Sequence, residues 1–113
     1  MGLDITAYAV APQAEGVAAQ PGMKIHYWRK HHEFAAWLSA LGVSRGGTAW
    51  EEPAQSIVLT SADLDRLEAV VAKGELRDWY GRDDDRRESD LAFIGKAREA
   101  IAAGFIVDIV ASW

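Results

Sequence analysis

The stretch LDITAYAV, residues 3–10, decides the fold of this chain. Apolar side chains occupy every second position, at Leu3, Ile5, Ala7 and Ala9. The positions between them carry Asp4, Thr6, Tyr8 and Val10. This period-two alternation predicts a β-strand with one buried face and one face turned to solvent. We therefore expect a sheet that carries its core on one side.

The chain ends in a second stretch of the same kind, FIVDIVASW at residues 105–113. One face is expected to hold Phe105, Val107, Ile109, Ala111 and Trp113, and the other Ile106, Asp108, Val110 and Ser112. Two shorter strands are predicted between these ends. In residues 24–28, Ile25 and Tyr27 are expected to point inward while Lys24, His26 and Trp28 point outward. Residues 57–59 predict a short third strand.

Three helices are predicted from apolar stripes and end signals. The first begins near Lys30, has Phe34, Trp37, Leu38 and Leu41 on one face, and ends at Gly42. The second begins at the capping pair Thr60 and Asp63, with Leu59 and Leu64 as a hydrophobic staple, and ends near Gly74. After a polar loop at residues 81–88, Ser89 is expected to cap the third helix, which ends before Gly104.

The order of these elements, β-β-α-β-α-α-β, predicts an α+β fold. We expect a small, mostly antiparallel sheet packed on one face by three helices. The length of 113 residues fits one domain, residues 1–113. Half of the residues are hydrophobic and 26% are charged, which is typical of a globular protein.

Composition excludes several classes of function. The chain has no cysteine, which rules out disulfides and thiolate chemistry. Its net charge of −5 opposes non-specific binding to nucleic acid, because that affinity comes mostly from neutralising phosphates. No run reaches the ~18 apolar residues of a membrane span, and the first residues lack the order of a signal peptide. We expect a cytoplasmic protein with no membrane partner.

No cofactor or metal site is expected from the motifs. The G-x-S-x-G sequence at residues 42–46 follows a helix instead of a strand, so it is interpreted as the turn that ends this helix. His31 and His32 are adjacent helix positions whose side chains diverge by about 100°, which disfavours a shared metal ion. Three aspartates at residues 83–85 are bracketed by arginines and are interpreted as a solvated loop.

The outward side chains of the sheet form the candidate binding surface. Trp28 lies beside cations there, a mixture that can stack a ring and hold phosphate. Tryptophan is also favoured at the centres of protein interfaces. The candidate site residues are Asp4, Thr6, Tyr8, Lys24, His26, Trp28, Arg29 and Asp108.

Several blocks of the sequence resemble a group of small uncharacterised bacteriophage and prophage proteins. They are MGLDITAY at residues 1–8, YWRK at 27–30, FI and KAR within 93–98, and SW at the end. The resemblance implies a phage origin and no particular activity. Small phage proteins of this kind often bind a host protein or sequester a host signal molecule.

Three functions follow from these features. The first is a non-enzymatic interaction protein that modulates a host factor through the exposed sheet face. The second is a binder of a small ligand or nucleotide, in which Trp28 stacks a ring while Lys24, Arg29 or His26 meets phosphate. The third is a small acid–base enzyme that uses His26 with Asp4 or Asp108. The sheet face could equally be the interface of a homodimer.

Overall fold

The computed structural model describes residues 3–11, 22–47, 50, 54–74 and 83–113 of the chain. In chain order the elements are β1 (Asp4–Val10), β2 (Met23–Arg29), α1 (His32–Ser44), β3 (Ala54–Leu59), α2 (Ser61–Ala72), α3 (Asp83–Ala102) and β4 (Ile106–Ser112). This is the predicted order. Within the described ranges, no helix is both long enough and apolar enough to cross a membrane.

The four strands form one antiparallel sheet in the order β2-β1-β4-β3. The two strands with the clearest alternation, β1 and β4, lie side by side at its centre. The shorter or less regular strands β2 and β3 form its edges. The structure therefore confirms the predicted α+β fold and its antiparallel sheet.

Helices cover one face of the sheet. The inward residues of β1 and β4 are fully buried and belong to one apolar cluster with the helices. Burying each large side chain of this cluster contributes about 1.5–3 kcal/mol to the stability of the fold. The apolar face of each strand is therefore the face that packs against the helices. The cluster includes Ile5, Ala7, Val107, Ile109 and Ala111 of the strands and Phe34, Leu38, Leu64, Leu67, Phe93 and Ile94 of the helices.

We call the opposite side of the sheet the open face. Its members are the residues that alternate with the buried ones, together with their cross-strand partners. They are Asp4, Thr6, Tyr8 and Val10 of β1, Lys24, Tyr27 and Arg29 of β2, Ser56 and Val58 of β3, and Ile106, Asp108, Val110 and Ser112 of β4.

The faces of β2 differ from the prediction. His26 pairs with Ala7 while Lys24 pairs with Tyr8, so Ile25 is an extra residue that forms a β-bulge. Because side chains alternate strictly along a strand, one inserted residue exchanges the two faces beyond it. Trp28 is therefore buried, with 4% of its surface exposed, whereas Tyr27 is 46% exposed. The expectation that Tyr27 lies in the core and Trp28 at the surface was wrong.

The first helix is shifted relative to its predicted bounds. It begins at His32, because Lys30 adopts a left-handed backbone conformation with φ of 57° that separates strand from helix. It continues past Gly42 to Ser44, and Gly46, with φ of 88°, follows its end. The amide of Gly46 donates to the carbonyl of Val43. Gly46, rather than Gly42, is the residue that ends α1.

The start of α2 agrees with its predicted capping residues, whereas the start of α3 does not. Thr60 and Asp63 form the predicted capping box at the start of α2, with each side chain accepting from the other's backbone amide. The third helix begins at Asp83 rather than at Ser89, so most of the expected loop at residues 81–88 is helical. Acidic residues at a helix N-terminus are stabilised by the helix dipole, which explains this earlier start.

Candidate functional site

The register of the sheet arranges the open face in rows, because paired residues of antiparallel strands project on the same side. The central row runs from β3 to β2 through Val58, Asp108, Tyr8 and Lys24. The adjacent row consists of Ser56, Val110, Thr6 and Tyr27. Aliphatic, aromatic and charged side chains therefore alternate across a surface of four strands.

Asp108 lies near the centre of this surface and is partly buried. Tyr8 and Val58 flank it across the strands, and Ile106 and Val110 flank it along its own strand. Its carboxylate makes no hydrogen bond or ion pair within the described residues. Burial without a compensating cation raises the pKa of Asp108 above its ordinary value. A shallow depression of about 350 Å³ opens beside it, lined by Gln55, Ser56, Asp108 and Val110.

A second polar group lies toward the β2 edge of the open face. The Tyr27 hydroxyl donates a hydrogen bond of 2.5 Å to Asp4 Oδ1. This bond raises the pKa of the Tyr27 phenol, because loss of the proton would place two negative charges together. Lys24 Nζ lies 5.8 Å from the centre of the Tyr27 ring, within the range of a cation–π interaction. The ring of Tyr27 is thus held between an acid and a base.

The open face exposes apolar groups as well. Val58 is 46% exposed and Ile106 is 38% exposed, and both lie next to Asp108. An exposed apolar patch with a few polar groups at its centre is typical of a site for a protein partner. Six of the predicted site residues lie together on this face: Asp4, Thr6, Tyr8, Lys24, Arg29 and Asp108.

The other two predicted site residues, His26 and Trp28, lie on the opposite side of the sheet beneath α3. The ring of Trp28 packs edge-on against Phe93, with ring centres 4.7 Å apart, and 4.8 Å from Phe34. Its indole Nε1–H donates to Asp90 Oδ1 at 2.8 Å. Trp28 therefore serves as core and does not belong to a surface site, which corrects the sequence-based prediction.

Asp90 is the centre of a buried polar cluster with Trp28 and His31 that the sequence did not reveal. Its second oxygen accepts a hydrogen bond of 3.0 Å from His31 Nε2. Asp90 and His31 are both almost completely buried. The other ring nitrogen of His31, Nδ1, lies 3.5 Å from Glu33 Oε2. The cluster ties the end of β2 and the start of α1 to α3.

His26 makes a separate chain of contacts. Lys96 Nζ lies 3.3 Å from His26 Nδ1, and Ser89 Oγ lies 2.7 Å from Nε2. An ammonium group can only donate, so we assign Nδ1 as the acceptor and the proton to Nε2, which donates to Ser89. Burial, followed by the charge of Lys96, lowers the pKa of His26. In this tautomer His26 is not a base for the Ser89 hydroxyl.

The structure separates residues that two of the functions considered from the sequence need close together. An acid–base pair needs His26 within hydrogen-bond reach of Asp4 or Asp108, but both ring nitrogens of His26 face α3 while the two aspartates lie on the open face. A nucleotide site that combines Trp28 with Lys24 or Arg29 would have to span both faces of the sheet. His26 does lie beside Trp28, with ring centres 4.6 Å apart, but Trp28 is buried there and has no free ring face for a ligand. The structure does not bring Trp28 together with Lys24 or Arg29.

The remaining motifs take part in ordinary secondary structure, or their side chains lie outside the described residues. The Ser44 hydroxyl donates to the carbonyl of Leu41 at 2.7 Å, as expected for a serine in the last turn of a helix. The aspartates at residues 83–85 begin α3 instead of forming a loop, and their side chains lie outside the described part. Among the described residues, no group of His, Asp and Glu is arranged to hold a metal ion.

Comparison with known proteins identifies no relative. No protein-family model, curated protein or solved structure matches this chain.

Proposed function

We propose that this protein is a non-enzymatic interaction protein that binds another protein chain through the open face of its sheet. The observation that carries the proposal is the environment of Asp108. A partly buried carboxylate without a partner in the described part of the chain is surrounded by Tyr8, Val58, Ile106 and Val110. A partner chain could place a hydrogen-bond donor against this carboxylate at the centre of an interface.

The physical reason lies in the free energy of desolvation. A carboxylate that has lost part of its water without gaining a hydrogen bond destabilises the free protein. A partner that supplies an N–H or ammonium group at this point would recover that cost, while its apolar side chains cover Val58 and Ile106. A few residues near the centre of an interface, surrounded by contacts that exclude water, carry most of the binding energy of many protein complexes.

The sequence resemblance to phage proteins supports a bacterial host protein as one source of the partner. The proposal accordingly places the interaction in the bacterial cytoplasm. A host factor bound in this way would be modulated without any chemical step on the part of this protein.

A pair of matched variants tests the proposal. Val58 lies on the open face, whereas Leu91 on α3 is similarly exposed, at 40% against 46%, but lies on the helical side. Immobilised wild-type protein and the variants Val58→Lys and Leu91→Lys are incubated with bacterial lysate, after circular dichroism has shown that all three are folded. We expect Val58→Lys alone to lose the captured protein. Equal capture by all three would exclude the open face as the binding surface.

A second candidate function has support from a cleft between β2 and α3. The cleft has a volume of about 300 Å³ and is mostly apolar, and Lys96 lies in its wall. Lys96 is the cation in this wall, and its ammonium group also contacts Nδ1 of His26, which lies outside the lining; the carboxylate of Glu99 lines the same cleft. This arrangement suits a small ligand with an anionic head and a short apolar chain. The lining residues are Ala9, Met23, Ile25, Lys96, Glu99, Ala100, Ala103 and Phe105.

The two halves of such a ligand can be tested separately. Octanoate and 1-octanol share an apolar chain, but only octanoate carries a negative charge. Isothermal titration calorimetry with wild type and Lys96→Gln should show binding of octanoate to wild type, at least tenfold weaker binding to the variant, and no such difference for octanol. Failure of octanoate to bind at millimolar concentration would eliminate this candidate.

A further inference from the structure

The two edges of the sheet differ in their protection against pairing with a further strand. An edge strand presents unpaired backbone N–H and C=O groups, which proteins commonly protect with lysines, prolines or a β-bulge. The edge formed by β2 has such protection, since it carries Lys24, Arg29 and the bulge at Ile25. The edge formed by β3 does not, because its residues AQSIVL include no charged residue and no proline. We call this second edge the β3 edge.

The hydrogen bonds of β3 show which of its backbone groups point away from the sheet. Arg45 Nη1 donates to the carbonyl of Val58 at 2.7 Å, so this carbonyl points outward and not toward β4. Backbone groups alternate in direction along an edge strand, so the amide and carbonyl of Ser56 point outward too. Within the described part of the chain, these groups of Ser56 and the outward amide of Val58 have no hydrogen-bond partner. Their spacing matches the donors and acceptors of an extended chain.

Asp108 places a charge requirement beside the β3 edge. The depression next to its carboxylate is lined by Gln55 and Ser56 of β3 and by Val110 of β4, so it lies within one strand of the edge. A strand added at the edge lies about 4.8 Å from β3 and about 10 Å from β4. A lysine side chain reaches roughly 6 Å from its backbone, and together with the Asp108 side chain and a hydrogen bond it spans this distance. A basic side chain on the added strand is therefore long enough to meet the Asp108 carboxylate.

We propose that the β3 edge binds an extended segment of a partner protein, which becomes the fifth strand of the sheet and places a lysine or arginine beside Asp108. This inference rests on the proposed function and specifies how the partner binds. Hydrogen bonds between the two backbones hold the segment, and the basic side chain selects it among other extended chains. Val58, which is 46% exposed, then lies in the interior of a five-stranded sheet. The net charge of −5 also attracts a basic segment.

Arg45 sets the register of the added strand. Its guanidinium group contacts both the Val58 carbonyl and the Asp63 carboxylate, so it closes the edge at the end nearest α2. The partner residue that pairs with Ser56 is then at the centre of the contact. Paired residues of neighbouring strands project on the same face, so this residue extends onto the open face toward Asp108. It is the position at which we expect the lysine or arginine.

Two peptides that differ in one charge serve as probes. The capped heptapeptides TVTKTVT and TVTETVT alternate threonine and valine, which favours an extended conformation, around a central lysine or glutamate. Ser56→Pro removes the outward amide of β3 without touching its pairing with β4, and proline is tolerated at such positions of an edge strand. Ser56→Ala is the matched control, because it loses the hydroxyl and keeps the amide. Asp108→Asn removes the charge that the lysine is expected to meet.

Titration followed by NMR of the isotope-labelled protein measures these affinities, after circular dichroism has shown that the variants are folded. We expect TVTKTVT to bind the wild type and Ser56→Ala equally, and to bind Ser56→Pro at least tenfold more weakly. TVTETVT should bind the wild type at least tenfold more weakly than TVTKTVT, and Asp108→Asn should remove most of this difference. Failure of TVTKTVT to bind the wild type at millimolar concentration would overturn the proposal. Equal binding of TVTKTVT to Ser56→Pro would do so as well.

Hydrogen exchange in the wild type tests the same site without a substitution. TVTKTVT should slow exchange of the Ser56 and Val58 amides at least tenfold and leave the Tyr27 amide, on the opposite edge, unchanged. Unchanged exchange at Ser56 and Val58 would show that the peptide binds elsewhere, which contradicts the proposal. The proposal would also be wrong if sedimentation showed that the wild type forms dimers that Ser56→Pro abolishes, because the β3 edge would then pair with its own copy.

Failure here is distinguishable from failure of the proposed function. If TVTKTVT does not bind but Val58→Lys still abolishes capture from lysate, the open face binds its partner without an added strand, and only this inference was wrong. If TVTKTVT does not bind and capture is also unaffected by Val58→Lys, neither the open face nor the β3 edge is a binding surface.

Discussion

Replacing Asp90 with alanine removes the acceptor that two buried donors share. The indole N–H of Trp28 and Nε2–H of His31 donate to its two oxygens, at 2.8 and 3.0 Å. Each buried donor left without a partner costs about 1–3 kcal/mol. We therefore expect the free energy of unfolding to fall by about 4 kcal/mol. For a chain of this size that corresponds to a melting temperature lower by roughly 15 °C.

Urea unfolding followed by circular dichroism and by tryptophan fluorescence measures this loss. Asp90→Asn keeps one carbonyl oxygen for one of the two donors, so we expect it to lose about half as much stability as Asp90→Ala. Asp65→Ala is the matched control, because Asp65 also pairs with a basic side chain, Arg98, but is 69% exposed. An exposed ion pair contributes about 0.2–1 kcal/mol.

The reasoning would be refuted by a loss below about 1 kcal/mol in Asp90→Ala, which is within the range expected for Asp65→Ala. Such a result would mean that water or a rearranged side chain satisfies Trp28 and His31 without Asp90. A change in the denaturant dependence, with no change in midpoint, would instead indicate an altered unfolded state.

Three further predictions concern single groups. Burial raises the pKa of Asp108, so the charged carboxylate destabilises the folded protein above that pKa. Asp108→Asn should therefore raise the melting temperature at pH 7. The difference from wild type should disappear as the pH falls through the folded pKa. Thermal melts of the two proteins from pH 7 down to pH 3 test this. Burial and the charge of Lys96 lower the pKa of His26, so the wild type should lose stability as the pH falls below 6.5. In urea unfolding, His26→Gln should lose less stability than the wild type between pH 7.5 and pH 5.5. Thr60→Ala removes the capping box of α2 and should cost about 1 kcal/mol in the same assay.

The regular elements were predictable from the sequence because each has a local signature. The alternation in β1 and β4 results from burial of one face, and it identified the inward and outward residues of both strands correctly. The capping box of α2 depends on contacts among four consecutive residues, so it too is visible locally. The bulge at Ile25 has no such signature, since it depends on how β2 pairs with β1.

The bulge explains why the site was predicted only in part. Five of the six residues on the open face lie where simple alternation holds, on β1, on β4 or before the bulge of β2, whereas Arg29 lies beyond the bulge and reaches this face because of it. His26 and Trp28 lie beyond the inserted residue Ile25, so their faces were reversed. Tyr27 was missed for the same reason. Asp90 and His31 were missed because a buried polar pair 59 residues apart in the chain leaves no local pattern.

The bulge at Ile25 turns neighbouring side chains of β2 to opposite faces of the sheet. Trp28 faces inward, where Asp90 and Phe93 hold it, and this anchors an edge strand to α3. Tyr27 faces outward and joins Asp4 and Lys24 on the open face. Truncating the buried tryptophan would cost about 3–5 kcal/mol and disturb both faces, so loss of binding in Trp28→Ala would report on folding. Loss of binding in a folded variant of an open-face residue reports on recognition, because the anchor beneath the strand is intact.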